Sequence, residues 1–256
     1  LDTSIPRVLS IAGTDPTGGA GIQADLKSIA ASGGYGLCAT TALVAQNTRG
    51  VRSIFAPPTK FLEEQLAAVF DDVTVDAVKI GMLGDVETIT TVKTWLAEHP
   101  VPVVVLDPVM VASSGDRLIS QDAEQALREL VAQADVITPN IAELAVLCES
   151  NPAQTLKEAH HQAAQLAGST GTIVIVKGGH LTGEDAGNSA VFPDGTHTHV
   201  ATNRVQTKNT HGTGCSLSSS LATRLGLALV NGNNELSVRV LTNALAWSTR
   251  WLNEAI

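Results

Sequence analysis

Val103-Val104-Val105-Leu106 and Ile173-Val174-Ile175-Val176 are apolar at every position. A strand with one wet face alternates apolar and polar residues, so an unbroken run needs cover on both faces, as in a parallel sheet between two layers of helices. Strands are expected at Arg7 to Ala12, around Cys38 to Val44, and at Val75 to Ile80, Val103 to Leu106, Val136 to Thr138 and Thr172 to Val176. Helical spacing falls between them at Ile22 to Ala31, Phe61 to Phe70, Val86 to Leu96, Ala123 to Val131, Ala142 to Leu147 and Leu156 to Leu166. This alternation predicts an α/β fold, a three-layer α/β/α sandwich with a mostly parallel central sheet and ligands outside the carboxyl ends of its strands. Gly187 to Val205 breaks the rhythm and reads as a hairpin, and two helices, Gly214 to Val230 and Leu236 to Asn253, follow. With no internal repeat or linker, residues 1–256 are expected to form a single domain.

Composition narrows the function. A chain of 256 residues, 44% hydrophobic and 16% charged, can bury its own core and is unlike disordered or coiled-coil sequences. Asp+Glu number 25 against Lys+Arg 16, a net charge of -9, and aromatic residues are only 3%. A nucleic-acid binder shows the opposite sign and more stacking rings. Cys38, Cys148 and Cys215 are far apart, with no C-x-x-C pair, which points to a reducing cytoplasm. No apolar run approaches the roughly 20 residues of a membrane span, and no signal core follows the N-terminus. The first residue is Leu1 rather than Met, which suggests a trimmed chain or a domain cut from a longer one.

The chemistry concentrates at strand ends. Gly13 to Gly21, GTDPTGGAG, lacks the lysine of a P-loop, and no G-x-G-x-x-G follows a strand; taken alone, this segment reads as a flexible strand-to-helix turn. Lys208 to Ser216, KNTHGTGCS, is more specific. Gly212, Thr213 and Gly214 would present N–H groups at a helix N-terminus, where the dipole favours an anion such as a phosphoryl group. Cys215 falls in the first turn, where the same field favours a partly ionised thiol near neutral pH, able to take a proton from a substrate hydroxyl. A small residue packing a helix start explains Cys215 alone equally well; the flanking glycines favour function. Cys38 and Cys148 read as packing residues.

Asn140 and Glu143 lie on one face of a first helical turn, suited either to a hydrated magnesium ion or to an ordinary capping box, the better reading for the pair alone. Asp107 and Lys177 end adjacent strands, an acid and a cation of the kind phosphoryl transfer uses. His160 and His161 lie on a polar helix face and His197 and His199 alternate along a strand, without metal-ligand spacing.

Seven segments carry a family likeness: AGTDPTGGAGIQADLK (Ala12 to Lys27), TALVAQNTRGV (Thr41 to Val51), KIGML (Lys79 to Leu83), LDPVM (Leu106 to Met110), ITPNIAE (Ile137 to Glu143), KGGH (Lys177 to His180) and TKNTHGTGC (Thr207 to Cys215). In this order they resemble the hydroxymethylpyrimidine and hydroxymethylpyrimidine phosphate kinases of thiamine biosynthesis, within the ribokinase-like superfamily. The resemblance implies two ATP- and Mg2+-dependent phosphorylations at one site, of 4-amino-5-hydroxymethyl-2-methylpyrimidine and then of its monophosphate. It implies that Gln46 hydrogen-bonds the aminopyrimidine ring while Gly13, Met82 and Val109 line the pocket. Cys215 would stand where most ribokinase-like enzymes carry an aspartate base, with Gly212, Thr213 and Gly214 as the anion hole. Lys177, with Asn140 and Thr213, would contact the nucleotide; Asn140 and Glu143 would organise magnesium, supported by Asp107. By their composition alone, Gly18 to Gly21 and the segment around Ser113-Ser114-Gly115 read as lids, and the resemblance implies a homodimer. The family's Gly- and His-containing tail is absent after Trp251 to Ile256, in keeping with a domain excised from a larger thiamine-pathway protein. A pyridoxal kinase of the same fold and a catalytically silent pyrimidine-binding protein are the rival readings.

Overall fold

The computed structural model describes residues 4–111, 118–181, 184–233 and 235–256. Among them, nine strands form one sheet: β1 (Arg7–Gly13), β2 (Tyr35–Asn47), β3 (Gly50–Phe55), β4 (Ala77–Ile80), β5 (Val104–Leu106), β6 (Val136–Ile137), β7 (Ile173–Lys177), β8 (Asn188–Val191) and β9 (His197–Val200). Their spatial order is β3-β2-β1-β4-β5-β6-β7-β8-β9. From β2 to β7 all neighbours are parallel, and antiparallel strands flank them: β3 on one side, β8 and β9 on the other.

Alternate side chains of each central strand enter different cores. Leu9, Val78, Val104, Leu106 and Val174 pack into one cluster with α2 (Thr59–Phe70), α3 (Val86–Glu98), α4 (Gln121–Val131), α5 (Ile141–Leu147) and α6 (Leu156–Thr170). Val8, Ala77, Val105, Val136 and Ile175 pack into the other, with Ile29 of α1 (Gly21–Ala31) and the apolar faces of α7 (Thr213–Val230) and α8 (Val238–Ala255). These two cores, one on each face, explain why the strand runs are apolar throughout, and the ribokinase-like α/β/α sandwich follows from them. Each fully buried Leu or Ile contributes roughly 1.5–3 kcal/mol of transfer free energy.

The expected hairpin is β8–β9. β3 departs from the sequence reading, which has no strand there, because none of its six residues is buried and it has no inward-facing period. Cys38 also departs from the expected packing role: it is exposed, since its neighbour Ala39 takes the buried position on β2. None of the described helices is long and apolar enough to cross a membrane. Ser113 to Gly115 lie outside the described residues.

Candidate active site

The carboxyl ends of β1, β4, β5, β6 and β7 and the N-terminus of α7 face one cleft of about 1030 Å³. Gly13, Gln46, Met82, Val109, Asp107, Asn140, Glu143, Lys177 and Gly212 to Cys215, the residues expected to form the site, all line it. At one end are Gly13, Gln46, Met82 and Val109. Buried Met82 packs with Ala42 and Val44, Val109 adds to that cluster, and a Cβ at Gly13 would lie 3.4 Å from Met82 Sδ. Gln46 Nε2 donates to Thr14 O at 3.1 Å, which fixes the side chain against β1. The end is apolar with one oriented amide, as a small heteroaromatic ring requires.

Beside it, the glycine-rich segment after β1 is tied down rather than free to flex. The fully buried Asp15 carboxylate accepts hydrogen bonds from Thr17 N, Thr17 Oγ1 and Ala20 N, and lies 2.8 Å from His211 Nε2. Burial pushes this carboxyl up, but these partners outweigh it and hold it below its ordinary value. The strap brings Gly212 against Gly19 O so closely that a Cβ would overlap it, at φ +80°, so only glycine fits.

α7 therefore begins at Thr213, with Cys215 at its third position. The Thr213 N–H already donates to Thr210 O at 3.3 Å within the loop. The Cys215 thiol keeps partial access to the cleft and meets the Gly21 N–H. The expectation of a thiolate near neutral pH is overturned: burial pushes the thiol up to about 11, with Lys79 opposing it and Asp25 and Asp107 adding to it. Desolvation of the sulfur outweighs the favourable field of the helix start.

On the far side of Cys215, Asp107 Oδ1 accepts from Lys177 Nζ at 3.0 Å and Thr138 Oγ1 at 2.9 Å, and Asp107 Oδ2 from Ser218 Oγ at 3.3 Å. Burial raises the Asp107 carboxyl, yet Lys177 and Lys79 hold it below its ordinary value. Burial lowers the Lys177 ammonium, but Asp107 and Glu143 bring it out above its usual value. A Cβ at Gly214 would sit 3.4 Å from Lys177 Nζ, so the ammonium lies against the helix start.

Asn140 and Glu143 form the capping box: Asn140 Oδ1 accepts from Glu143 N at 2.9 Å and Glu143 Oε2 from Asn140 N at 2.8 Å. Burial raises the Glu143 carboxyl to about 7, with Lys177 opposing. The sequence reading passed over one pair, Lys79 and Asp25. Lys79 Nζ lies 2.8 and 2.9 Å from the two Asp25 oxygens, with both side chains fully buried. The available signal was a lysine inside AVKI, a strand with every residue buried.

A sheet whose strand ends deliver a helix N-terminus, a buried carboxylate and two lysines into one cleft defines the ribokinase-like class of kinases. A family model, phosphomethylpyrimidine kinase, matches residues 15–256. The chain belongs to that family. It is 61% identical over 253 residues to a Corynebacterium glutamicum thiamine biosynthesis multifunctional protein ThiED, covering 99% of this chain and 32% of that protein. It is 46% identical over 217 residues to the hydroxymethylpyrimidine/phosphomethylpyrimidine kinase of Escherichia coli K12, covering 84% of this chain and 81% of that one. A Bacillus subtilis pyridoxal kinase solved as an ADP complex superposes with a TM-score of 0.82 at 31% identity, covering 97% of this chain and 90% of that one. The chain thus spans about a third of the length of its Corynebacterium relative.

Proposed function

We propose that this chain transfers the γ-phosphoryl group of ATP to the hydroxymethyl group of 4-amino-5-hydroxymethyl-2-methylpyrimidine and then to the resulting monophosphate. The observation that carries this reading is that the apolar pocket with its oriented amide, Gln46, Met82 and Val109, shares one cleft with the helix start bearing Cys215. The amide pairs with the aminopyrimidine edge, and the thioether packs on the ring face.

In the first transfer the ionised Cys215 sulfur, its thiol proton having passed to solvent, accepts the proton of the substrate hydroxyl. The hydroxyl oxygen bonds to the γ-phosphorus, the bond to the bridging oxygen breaks, and ADP leaves. The helix start at Gly212, Thr213 and Gly214 faces the negative charge that develops, and the Lys177 cation neutralises part of it. Glu143 and Asp107 suit a magnesium ion: two buried carboxylates face one cleft, and burial with the Asp107 charge leaves Glu143 reluctant to ionise even beside Lys177, a balance that a further cation would shift. Held by these residues, the ion would neutralise part of the charge on the transferring phosphoryl group. Asn140, whose side-chain oxygen serves the helix cap, holds Glu143 in position.

The structural likeness to a pyridoxal kinase favours one second reading, phosphorylation of pyridoxal in the same pocket. A coupled ATP-consumption assay with magnesium separates them. Turnover with both pyrimidines and little with pyridoxal is expected; preference for pyridoxal transfers the protein to the second reading, and no turnover with tight pyrimidine binding makes it a silent binder. A cytoplasmic homodimer completes the proposal, supported by three unpaired cysteines and by exposed Leu43, Ile54 and Phe55 on the β2–β3 hairpin.

A further inference from the structure

The Lys79 and Asp25 pair has no part in the steps above, yet it is a pair of full charges buried at the wall of the reaction cleft. Asp25 anchors it to two other places. Its oxygens accept from Ser10 Oγ of β1 at 2.7 Å and from Ser219 Oγ of α7 at 2.7 Å, besides the two contacts from Lys79 of β4. Ser219 follows Cys215 by four residues on α7, so the two occupy the same helix face one turn apart. The carboxylate that holds the ammonium is thereby tied to α7 one turn along from the sulfur. Gly81 gives it room, since a Cβ there would stand 2.8 Å from Lys79 Nζ.

A structural staple is a weak explanation for this arrangement. Burying two charges costs about as much as their attraction returns, and well-packed apolar residues hold such a position equally well. A cation in low dielectric, however, acts strongly on a charge that appears nearby. The charged groups facing Cys215 are Lys79 from β4, Asp25 from α1, Asp107 after β5 and Lys177 from β7, with the Gly21 N–H dipole beside them. Of these, Lys79 is the largest influence that favours the ionised sulfur.

We propose that Lys79 is a positioning residue for proton transfer: its ammonium, fixed by an Asp25 carboxylate that is itself tied to α7 one turn from Cys215, stabilises the negative charge the sulfur carries when it acts as base. This rests on the role of Cys215 proposed above. Lys79 itself neither touches substrate nor gains or loses a proton in the cycle.

The test reads the sulfur directly, as the rate of iodoacetamide alkylation at Cys215 against pH, followed by peptide mass in folded protein. Asp25→Asn keeps the cation and removes its counter-charge, so Cys215 should alkylate faster than in the wild type. Removing the cation as well, in K79M/D25N, should slow alkylation about tenfold relative to D25N, as a midpoint one unit higher requires. A structural staple predicts lower melting midpoints with unchanged alkylation, and K79M/D25N reacting as fast as D25N overturns the proposal. Should the double variant fail to fold, D25N decides alone: alkylation equal to or slower than wild type overturns it. Kinase turnover surviving in Cys215→Ala would instead remove the base role of Cys215 while leaving the order of alkylation rates intact.

Discussion

At Cys215 two effects oppose each other. The helix start and Lys79 favour the ionised sulfur, while packing against α1 and the nearby carboxylates favours the thiol, and the balance stands at about 11. The sign for catalysis follows. The base form is the minor one at neutral pH and grows as pH rises, so kcat/KM should climb about tenfold per unit between pH 7 and 9. A plateau already reached at pH 7 would show that the ionised sulfur is not the limiting species. Cys215→Ala should abolish transfer while calorimetry still detects pyrimidine binding, because Gln46 and Met82 are untouched. Chemistry at this scale was partly legible in the linear chain. Gly212-Thr213-Gly214-Cys215 announces a helix start with a thiol in it, but no local pattern states how much protein will surround that thiol. The partner of Lys79 was illegible for the same reason, since Asp25 is 54 residues away, although a lysine within the apolar AVKI strand was itself a signal.

Among the elements, a buried face made most of them readable, and β3, which has none, was missed. α4 and α7 match their spacing within a few residues because each lays apolar side chains on a core. β3 exists through its antiparallel pairing with β2, from Leu43 with Phe55 to Asn47 with Gly50 with a register shift between Ala45 and Gln46, and its own six residues carry no inward pattern. The segment after β1 is the converse case: its glycines suggested freedom, and Asp15 removes it by collecting donors from residues 17, 20 and 211. That contact makes the start of α7 depend on the loop before α1. Gly212→Ala tests the dependence. It places a side chain at φ +80° against Gly19 O, so a stability loss on the order of 2 kcal/mol is expected in thermal or urea unfolding. Turnover should fall further than that loss explains, because the helix start would no longer meet the phosphates; unchanged turnover in the folded variant would detach the helix start from catalysis.

Over the whole molecule, the cleft is held in a state that does not favour stability. Glu143 ionises at about 7 in the fold against 4.5 for the free side chain, so between those values the unfolded chain loses its proton first and the fold is progressively penalised. Glu143→Gln keeps an oxygen for the Asn140 N–H and removes the charge. Its unfolding free energy should match wild type near pH 4.5 and exceed it by pH 8, by about 3 kcal/mol with a correspondingly higher melting midpoint, while magnesium-dependent transfer is lost. Equal midpoints at both pH values would show that Glu143 is not strained by burial. The linear chain by itself determined the layer architecture, because two-faced apolar runs alternating with helical spacing have one economical way to bury both faces. It also determined which strand ends carry polar groups, since those follow from local order. Only the tertiary structure decided the protonation of Cys215, the restraint of the glycine segment by Asp15 and His211, and the charge near the sulfur from Lys79 and Asp25. Desolvation and the fields of distant charges depend on what surrounds a group in three dimensions, and that is set by residues far apart along the chain.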